Sequence, residues 1–151
     1  MARTHLVVAA ALVAAAALAP PALARPAIDV TYGGMTTAKW PVMVQLSRDG
    51  RQVAYAVAAW SAQCTDGPYS DQETFDHIPV SAAGSFSKSY DTGDLQQGTA
   101  TVHYAASITG KVDKRHSRIT GTVHVMQRYA DTSAGVDTTC DTGTVKYVAI
   151  N

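Results

Sequence analysis

The sequence carries little charge. Lys, Arg, Asp and Glu make up 16% of its 151 residues, and 12 basic side chains balance 12 acidic ones. Binding to nucleic acid or to an anionic membrane needs a surplus of positive charge on the surface. The largest basic cluster, "KVDKRHSR" at residues 111–118, is short and typical of a hairpin tip. The composition therefore predicts no nucleic-acid partner.

Helical periodicity is almost absent beyond the first 25 residues. The chain instead alternates apolar and polar residues in short runs rich in Val, Thr, Tyr and Ser, and turn-forming residues separate those runs. This pattern is typical of antiparallel β-sheet. We expect an all-β fold after the N-terminal segment: a single antiparallel β-sandwich or small β-barrel of about eight strands.

Long apolar runs are confined to the N-terminus. Residues 1–24 begin with a basic residue, Arg3, continue as a run of Ala, Leu and Val, and end in the small-x-small triplet 22–24. These three features predict a secretory signal peptide. Residues 25–151 are then one β domain without a transmembrane segment, and the protein is secreted, to the extracellular space or the cell envelope.

Cysteine is scarce, with only Cys64 and Cys140. Neither has a partner at C-x-x-C spacing, so a zinc site has little support. An even number of cysteines in a secreted chain predicts a disulfide, although two buried thiols or half of a metal site are alternatives. A bridge that closes a loop of this length stabilises a fold by about 4 kcal/mol.

The best-defined local unit is a hairpin at residues 42–57. Asp49-Gly50 predicts a two-residue turn, because type I′ turns need positive φ at both central positions. The resulting apolar pairs are Leu46 with Val53, Val44 with Tyr55, and Val42 with Val57. Trp60 and Cys64 have the opposite parity, which favours a bulge near residues 58–59. Trp40 and Trp60 are both expected in the core.

Acidic residues concentrate at residues 65–76, and residues 65–74 have the composition of a loop. Hard oxygen ligands on a loop suit calcium in a secreted protein, although the order of an EF-hand is missing. Tyr69 is an exposed aromatic that could contact a partner. The candidate ligand or calcium residues are Asp66, Tyr69, Asp71, Glu73 and Asp76.

Two histidines form a second candidate metal site. His103 and His124 lie on the more polar faces of two neighbouring predicted strands. As diagonal neighbours they would be within reach of one metal ion. The alternative is two exposed imidazoles on a solvated sheet, and a third ligand on that face is missing.

The triplet Asp-Thr-Gly occurs twice, at Asp91 and at Asp141. It resembles the catalytic triplet of pepsin-like proteases, which need two aspartates about 3 Å apart that share one proton. Polar residues precede Asp91, and only eight residues follow Gly143, too few for the second half of such a site. Asp, Thr and Gly also make stable turns. We therefore predict two separate turns and no catalytic residues.

These observations favour a secreted, disulfide-linked β domain with a non-catalytic binding or structural role and no cofactor. Its partner would be a protein or a glycan, contacted through the predicted loops at residues 65–74 and 130–143. The alternative is a small secreted hydrolase that uses carboxylates from those loops, since glycosidases need two carboxyl groups about 5–10 Å apart.

Overall fold

The computed structural model describes residues 29–151, so the predicted signal peptide lies outside the described residues. This part of the chain forms nine β-strands and no helix. The strands are β1 (Val30–Thr36), β2 (Pro41–Leu46), β3 (Gln52–Cys64), β4 (Gly67–Pro79), β5 (Ser85–Gln97), β6 (Ala100–Val112), β7 (Arg118–Asp131), β8 (Val136–Asp141) and β9 (Val145–Ile150). The all-β prediction is confirmed.

The strands form one antiparallel sheet in the order β4-β3-β2-β1-β9-β7-β6-β5. Almost every neighbour in the sheet is also a neighbour in sequence, and β9 pairs with β1. The long β7 pairs with β9 along its first half and with β8 along its second half. The sheet is thus a nearly closed up-and-down barrel with a seam between β4 and β5. At the seam, Lys88 Nζ donates to the backbone oxygen of Asp76 at 2.6 Å.

Alternation along the strands produces the core. Side chains that face the barrel interior are fully or almost fully buried, whereas the outward positions are polar or half-exposed, as expected for strands with one solvated face. The largest fully buried side chains are Tyr32, Tyr147, Phe75, Ile78, Ile108 and Ile119.

Two facing glycines make room for large rings in this core. Gly110 of β6 lies directly opposite Gly121 of β7. A Cβ at Gly110 would collide with the ring of Phe86, and one at Gly121 would collide with Tyr147 and with the backbone of Thr109. Both glycines end an Ile-Thr-Gly triplet, at residues 108–110 and 119–121. The β6–β7 register continues through the glycines without a bulge.

The hairpin prediction is only partly right. Leu46 and Val53 do pair, but the turn spans four residues, 48–51, between Ser47 and Gln52. In this turn Gly50 alone has positive φ. The Asp49 carboxylate accepts hydrogen bonds from the Ser47 hydroxyl and the Arg51 N–H. These local bonds stabilise a longer turn than the dipeptide alone suggests.

The bulge occurs earlier in β3 than predicted. The β2–β3 register shifts between Gln45 and Leu46, which leaves Ala54 as the extra residue. Val44 therefore faces Ala56, and Tyr55 points outward with 37% exposure, so the predicted Val44–Tyr55 and Val42–Val57 pairs are wrong. The early shift places the even-numbered residues of β3 from Ala56 onward inside the barrel.

The two tryptophans have different environments. Trp60 follows the shifted pattern of β3 and is 4% exposed, as expected for a core residue. Trp40 lies in the connection before β2 and is 36% exposed, so its predicted core position is wrong.

Both predicted loops contain strand. Residues 67–79 form β4, which covers most of the predicted loop at 65–74, and residues 136–141 of the predicted loop at 130–143 form β8. Their polar composition misled the sequence reading, because edge strands and outward faces accept Ser, Thr, Asp and Gln. Pro79 ends β4 at the unpaired edge of the sheet, as predicted for a proline in a strand.

Candidate functional site

The predicted disulfide is present. Cys64 at the end of β3 is bonded to Cys140 of β8, with their Cα atoms 4.2 Å apart and both residues 5% exposed. Strands β3 and β8 are not paired in the sheet. Besides the disulfide, hydrogen bonds from Thr65 connect the two strands. Its N–H donates to the carbonyl of Thr139 at 3.2 Å, and its hydroxyl donates to the carbonyl of Asp137 at 3.2 Å.

A groove of about 310 Å³ opens beside this bridge. Its volume lies at the lower end of the roughly 300–1,000 Å³ range of small-molecule sites. We call it the disulfide groove. It is lined by Cys64, Asp66, Tyr69, Gln127, Tyr129, Val136, Thr138 and Cys140. It therefore brings together the two segments, 65–74 and 130–143, that the sequence selected as the binding region.

Two tyrosines supply the aromatic surface of the groove. Tyr69 projects from β4 and is 43% exposed, and Tyr129 projects from β7 and is 39% exposed. The Tyr69 hydroxyl donates to Asp71 Oδ2 at 3.2 Å, which fixes the position of the ring. Such half-exposed tyrosines offer a flat apolar face together with a polar edge.

Trp60 lies directly behind the groove. Its ring centroid is 5.6 Å from that of Tyr69, with 51° between the ring planes. Its indole N–H is buried and has no hydrogen-bond partner in residues 29–151.

The predicted acidic loop is a strand, and its carboxylates are dispersed. Only Asp66 lies in the turn before β4. Asp71 accepts the hydroxyl of Tyr69, whereas Asp76 is exposed and binds Lys88 Nζ at 2.7 Å. In the described part of the chain, no group of three or more His, Cys, Asp or Glu side chains is arranged to hold a metal ion. Calcium binding stays a prediction.

Glu73 lies inside the barrel rather than on a loop. It is 9% exposed, and its carboxylate accepts a short hydrogen bond from the hydroxyl of Tyr104. Tyr90 stacks on Tyr104 with 6.0 Å between the ring centroids. Burial, reinforced by the hydrogen bond to Glu73, raises the pKa of both tyrosines well above its usual value. Both hydroxyls are therefore protonated at neutral pH, and the cluster links β4 to β5 and β6 across the seam.

The two Asp-Thr-Gly triplets make the same structure twice. Asp91 Oδ1 accepts the Gly93 N–H and Nε2 of His103, both at 2.8 Å. Asp141 Oδ1 likewise accepts the Gly143 N–H at 2.7 Å and Nε2 of His124 at 2.8 Å.

The threonines and glycines of the triplets correspond as well. The Thr92 hydroxyl bonds the N–H and the carbonyl of Tyr104, and that of Thr142 does the same at Val125. Both glycines have a φ of 60°. Thr142 and Gly143 lie in the connection between β8 and β9, so the second triplet is a turn, as predicted. Asp91–Gly93 lie instead within β5, where the β5–β6 register shifts between Asp91 and Asp94, so the first triplet is an irregular, bulged part of a strand rather than the predicted turn.

Each histidine contacts the aspartate of one triplet, and the two histidines do not form one metal site. His103 lies opposite Arg128, whereas His124 lies opposite Ser107, four residues further along β6. Four residues of strand separate them by about 14 Å, too far for one metal ion. The predicted diagonal contact is therefore wrong. The ring nitrogens of His103 instead contact Asp91 at 2.8 Å and Asp94 at 3.1 Å.

Sequence reasoning missed several groove residues. Gln127 and Thr138 face the groove because β7 and β8 pair there with Gln127 opposite Cys140 and Tyr129 opposite Thr138. The available signal was the alternation of these residues with Cys140. It can be used only when residues 136–141 are known to form a strand, and their composition is that of a loop.

Comparison with known proteins gives no match: no family model, curated protein or solved structure is similar to this chain. Residues 29–151 contain no helix that is long and apolar enough to cross a membrane.

Proposed function

We propose that this protein is a secreted binding domain that holds the end of a neutral glycan in the disulfide groove and catalyses no reaction. The observation that carries the proposal is the pairing of exposed Tyr69 and Tyr129 in one groove that the Cys64–Cys140 bridge organises. A disulfide is typical of proteins in an oxidising compartment, which supports a location outside the cytosol. The signal-peptide pattern of residues 1–24 supports the same location.

The chemistry of the groove favours a hydroxylated ligand. A sugar ring offers an apolar C–H face to an aromatic side chain and hydroxyl groups to its polar neighbours. Gln127 and Thr138 can both donate and accept hydrogen bonds, and Asp66 accepts them.

The alternative hydrolase has less support. Of the residues that line the groove, Asp66 alone is a carboxylate, and the chemistry of glycosidases needs a pair. Asp71 is bonded to Tyr69, and Glu73 is bonded to Tyr104 inside the barrel. A purely structural role would leave the groove without a ligand, and the binding experiment distinguishes this case.

The test is a glycan-array screen of the protein purified from culture medium, followed by titration of the best ligand. Tyr69→Ala and Tyr129→Ala should each weaken binding at least about tenfold, which corresponds to about 1.4 kcal/mol. Tyr55→Ala is the matched control, because Tyr55 is equally exposed but points outward from β3. Equal losses in all three variants, or no glycan bound, would refute the proposal.

A further inference from the structure

The opposite end of the barrel carries a cleft of about 890 Å³. It lies between the turn before β3, the connection from β4 to β5 and the turn from β6 to β7. Its apolar part consists of Val80, Ala82, Ala83 and Val112, and its cationic part consists of Arg51, Lys111, Lys114 and Arg118. We call it the basic cleft. It shares no lining residue with the disulfide groove.

The cations of the basic cleft have no acidic partners. In residues 29–151, the ion pairs made by Lys and Arg are Lys88–Asp76 and Arg128–Asp137, and both lie elsewhere. All four side chains are exposed and line one concavity, so they produce a local positive potential that a near-zero net charge conceals.

The one carboxylate in the cleft is engaged by its own turn. Asp113 accepts hydrogen bonds from the N–H and the hydroxyl of Ser117 and from the N–H of Arg118. The backbone N–H of Ser117 is the main cause that holds the pKa of Asp113 below its usual value. Its charge stabilises the turn that presents Lys114, and four cations against this one carboxylate leave the cleft with three positive charges in excess.

Hydrogen bonds to its backbone hold the turn between β6 and β7, which carries Lys114, in place. The carbonyl of His116 accepts the hydroxyl of the fully buried Tyr32 at 2.8 Å and the side-chain amide of Asn151 at 3.0 Å. On the other side of the cleft, the Asp49 carboxylate fixes the turn that carries Arg51. The backbone of both turns is therefore already in place, and only the Lys and Arg side chains have to be ordered when a ligand binds.

We propose that the basic cleft binds a multiply charged oxyanion, with two or more phosphate or sulfate groups carried on one molecule. Lys and Arg are the side chains that bind such groups, with Arg able to bind two oxygens at once. A single ion would leave most of an 890 Å³ cleft empty, whereas a chain of phosphates or a sulfated glycan would fill more of it. The carrier is either a short phosphate chain or a sulfated glycan.

The test is isothermal titration of the secreted protein with two probes, sodium tripolyphosphate and a sulfated hexasaccharide, at 50 and 200 mM NaCl. The double variant Lys111→Gln/Lys114→Gln is compared with the control Lys39→Gln/Lys146→Gln, whose lysines are exposed outside the cleft. We expect the cleft variant to bind at least about tenfold more weakly and the control to bind normally. For the sulfated hexasaccharide, the slope of log affinity against log salt concentration should be less steep by about two in the cleft variant than in the wild type.

Binding of tripolyphosphate alone, of the hexasaccharide alone or of both would support the site and identify its carrier. Absence of binding to both probes at 1 mM would overturn the proposal, as would equal weakening in the control variant. If the double variant fails to fold, Lys114→Gln alone replaces it, because Lys114 lies in an exposed turn. The glycan screen uses a different groove and different variants, so failure of either proposal leaves the other testable.

Discussion

Asp91 and Asp141 lie in one row across four strands of the sheet. Asp91 is opposite Ala105, Ala105 is opposite Met126, and Met126 is opposite Asp141. Three strand spacings separate their backbones by about 14 Å. Two carboxyl groups at that distance cannot share a proton. The repeated triplet is therefore a repeated local hydrogen-bonding pattern, in which each aspartate binds a glycine N–H and a histidine on the neighbouring strand.

These two aspartates should contribute to stability against acid. The hydrogen bond from the Gly93 N–H, the larger cause, and that from His103 hold the pKa of Asp91 below its usual value. Hydrogen bonds from the Gly143 N–H, again the larger cause, and from His124 lower the pKa of Asp141 in the same way. A carboxyl group with a lower pKa in the folded state stabilises the fold above its unfolded pKa of about 4. That stabilisation is lost as the pH falls through the folded pKa.

We expect the urea midpoint of the wild type to fall more between pH 6 and pH 3 than that of Asp91→Asn/Asp141→Asn. The asparagine oxygens retain the bonds to the glycines and remove the charge. Equal pH dependence in the two proteins would contradict this assignment.

Removal of the disulfide should be costly. Cys64→Ser/Cys140→Ser opens a loop with a sequence separation of 76 residues, and it should lower the free energy of unfolding by about 4 kcal/mol in the chain-entropy model. Urea unfolding of the variant and of the wild type with and without reductant measures the effect. An unchanged urea midpoint in the variant would mean that the contacts of Thr65 hold β3 to β8 without the bridge.

The facing glycines give a prediction about packing. Gly121→Ala places a methyl group against the ring of Tyr147 and the carbonyl of Thr109, so it should destabilise the fold by about 1–3 kcal/mol. Gly33→Ala is the matched control, since a Cβ there meets no atom within 4 Å. Thermal unfolding of both variants is the measurement, and equal midpoints would show that the barrel relaxes around the added methyl group.

The seam cluster gives the last stability prediction. Tyr104→Phe removes the hydroxyl that donates to the buried Glu73, so the fold should lose about 1.5–3 kcal/mol, the usual contribution of a hydrogen bond to a charged group. Tyr129→Phe is the control, because its hydroxyl lies at an exposed groove. Similar urea midpoints for the two variants would show that Glu73 finds another partner.

The sequence predicts the broad features of this molecule through local chemistry. Alternation predicts the strands, and the pair Cys64 and Cys140 predicts which segments meet. The second triplet follows from the turn propensity of Asp, Thr and Gly. What the sequence does not predict depends on register. Ala54 is an unremarkable residue, yet its position as the extra residue of β3 decides that Tyr55 is outside and Trp60 inside.

The basic cleft escaped prediction for a related reason. Arg51 and Lys114 are 63 positions apart in the sequence, and the alternating directions of the strands from β2 to β7 bring their turns to the same end of the barrel. Net charge is a sum over the whole chain and conveys nothing about such segregation. The polar composition of β4 had the opposite effect, since it hid a strand and turned a buried Glu73 into an apparent surface ligand.

The most direct test of the proposed glycan site is a ¹H–¹⁵N NMR titration of the labelled protein with the ligand that the array identifies. We expect shifts of backbone amides at residues 64–69, 127–129 and 136–140, together with a shift of the Trp60 indole N–H, because its ring packs against that of Tyr69. Shifts confined to residues 47–51, 80–84 and 111–118, at the basic cleft, with an unchanged Trp60 indole signal, would contradict it.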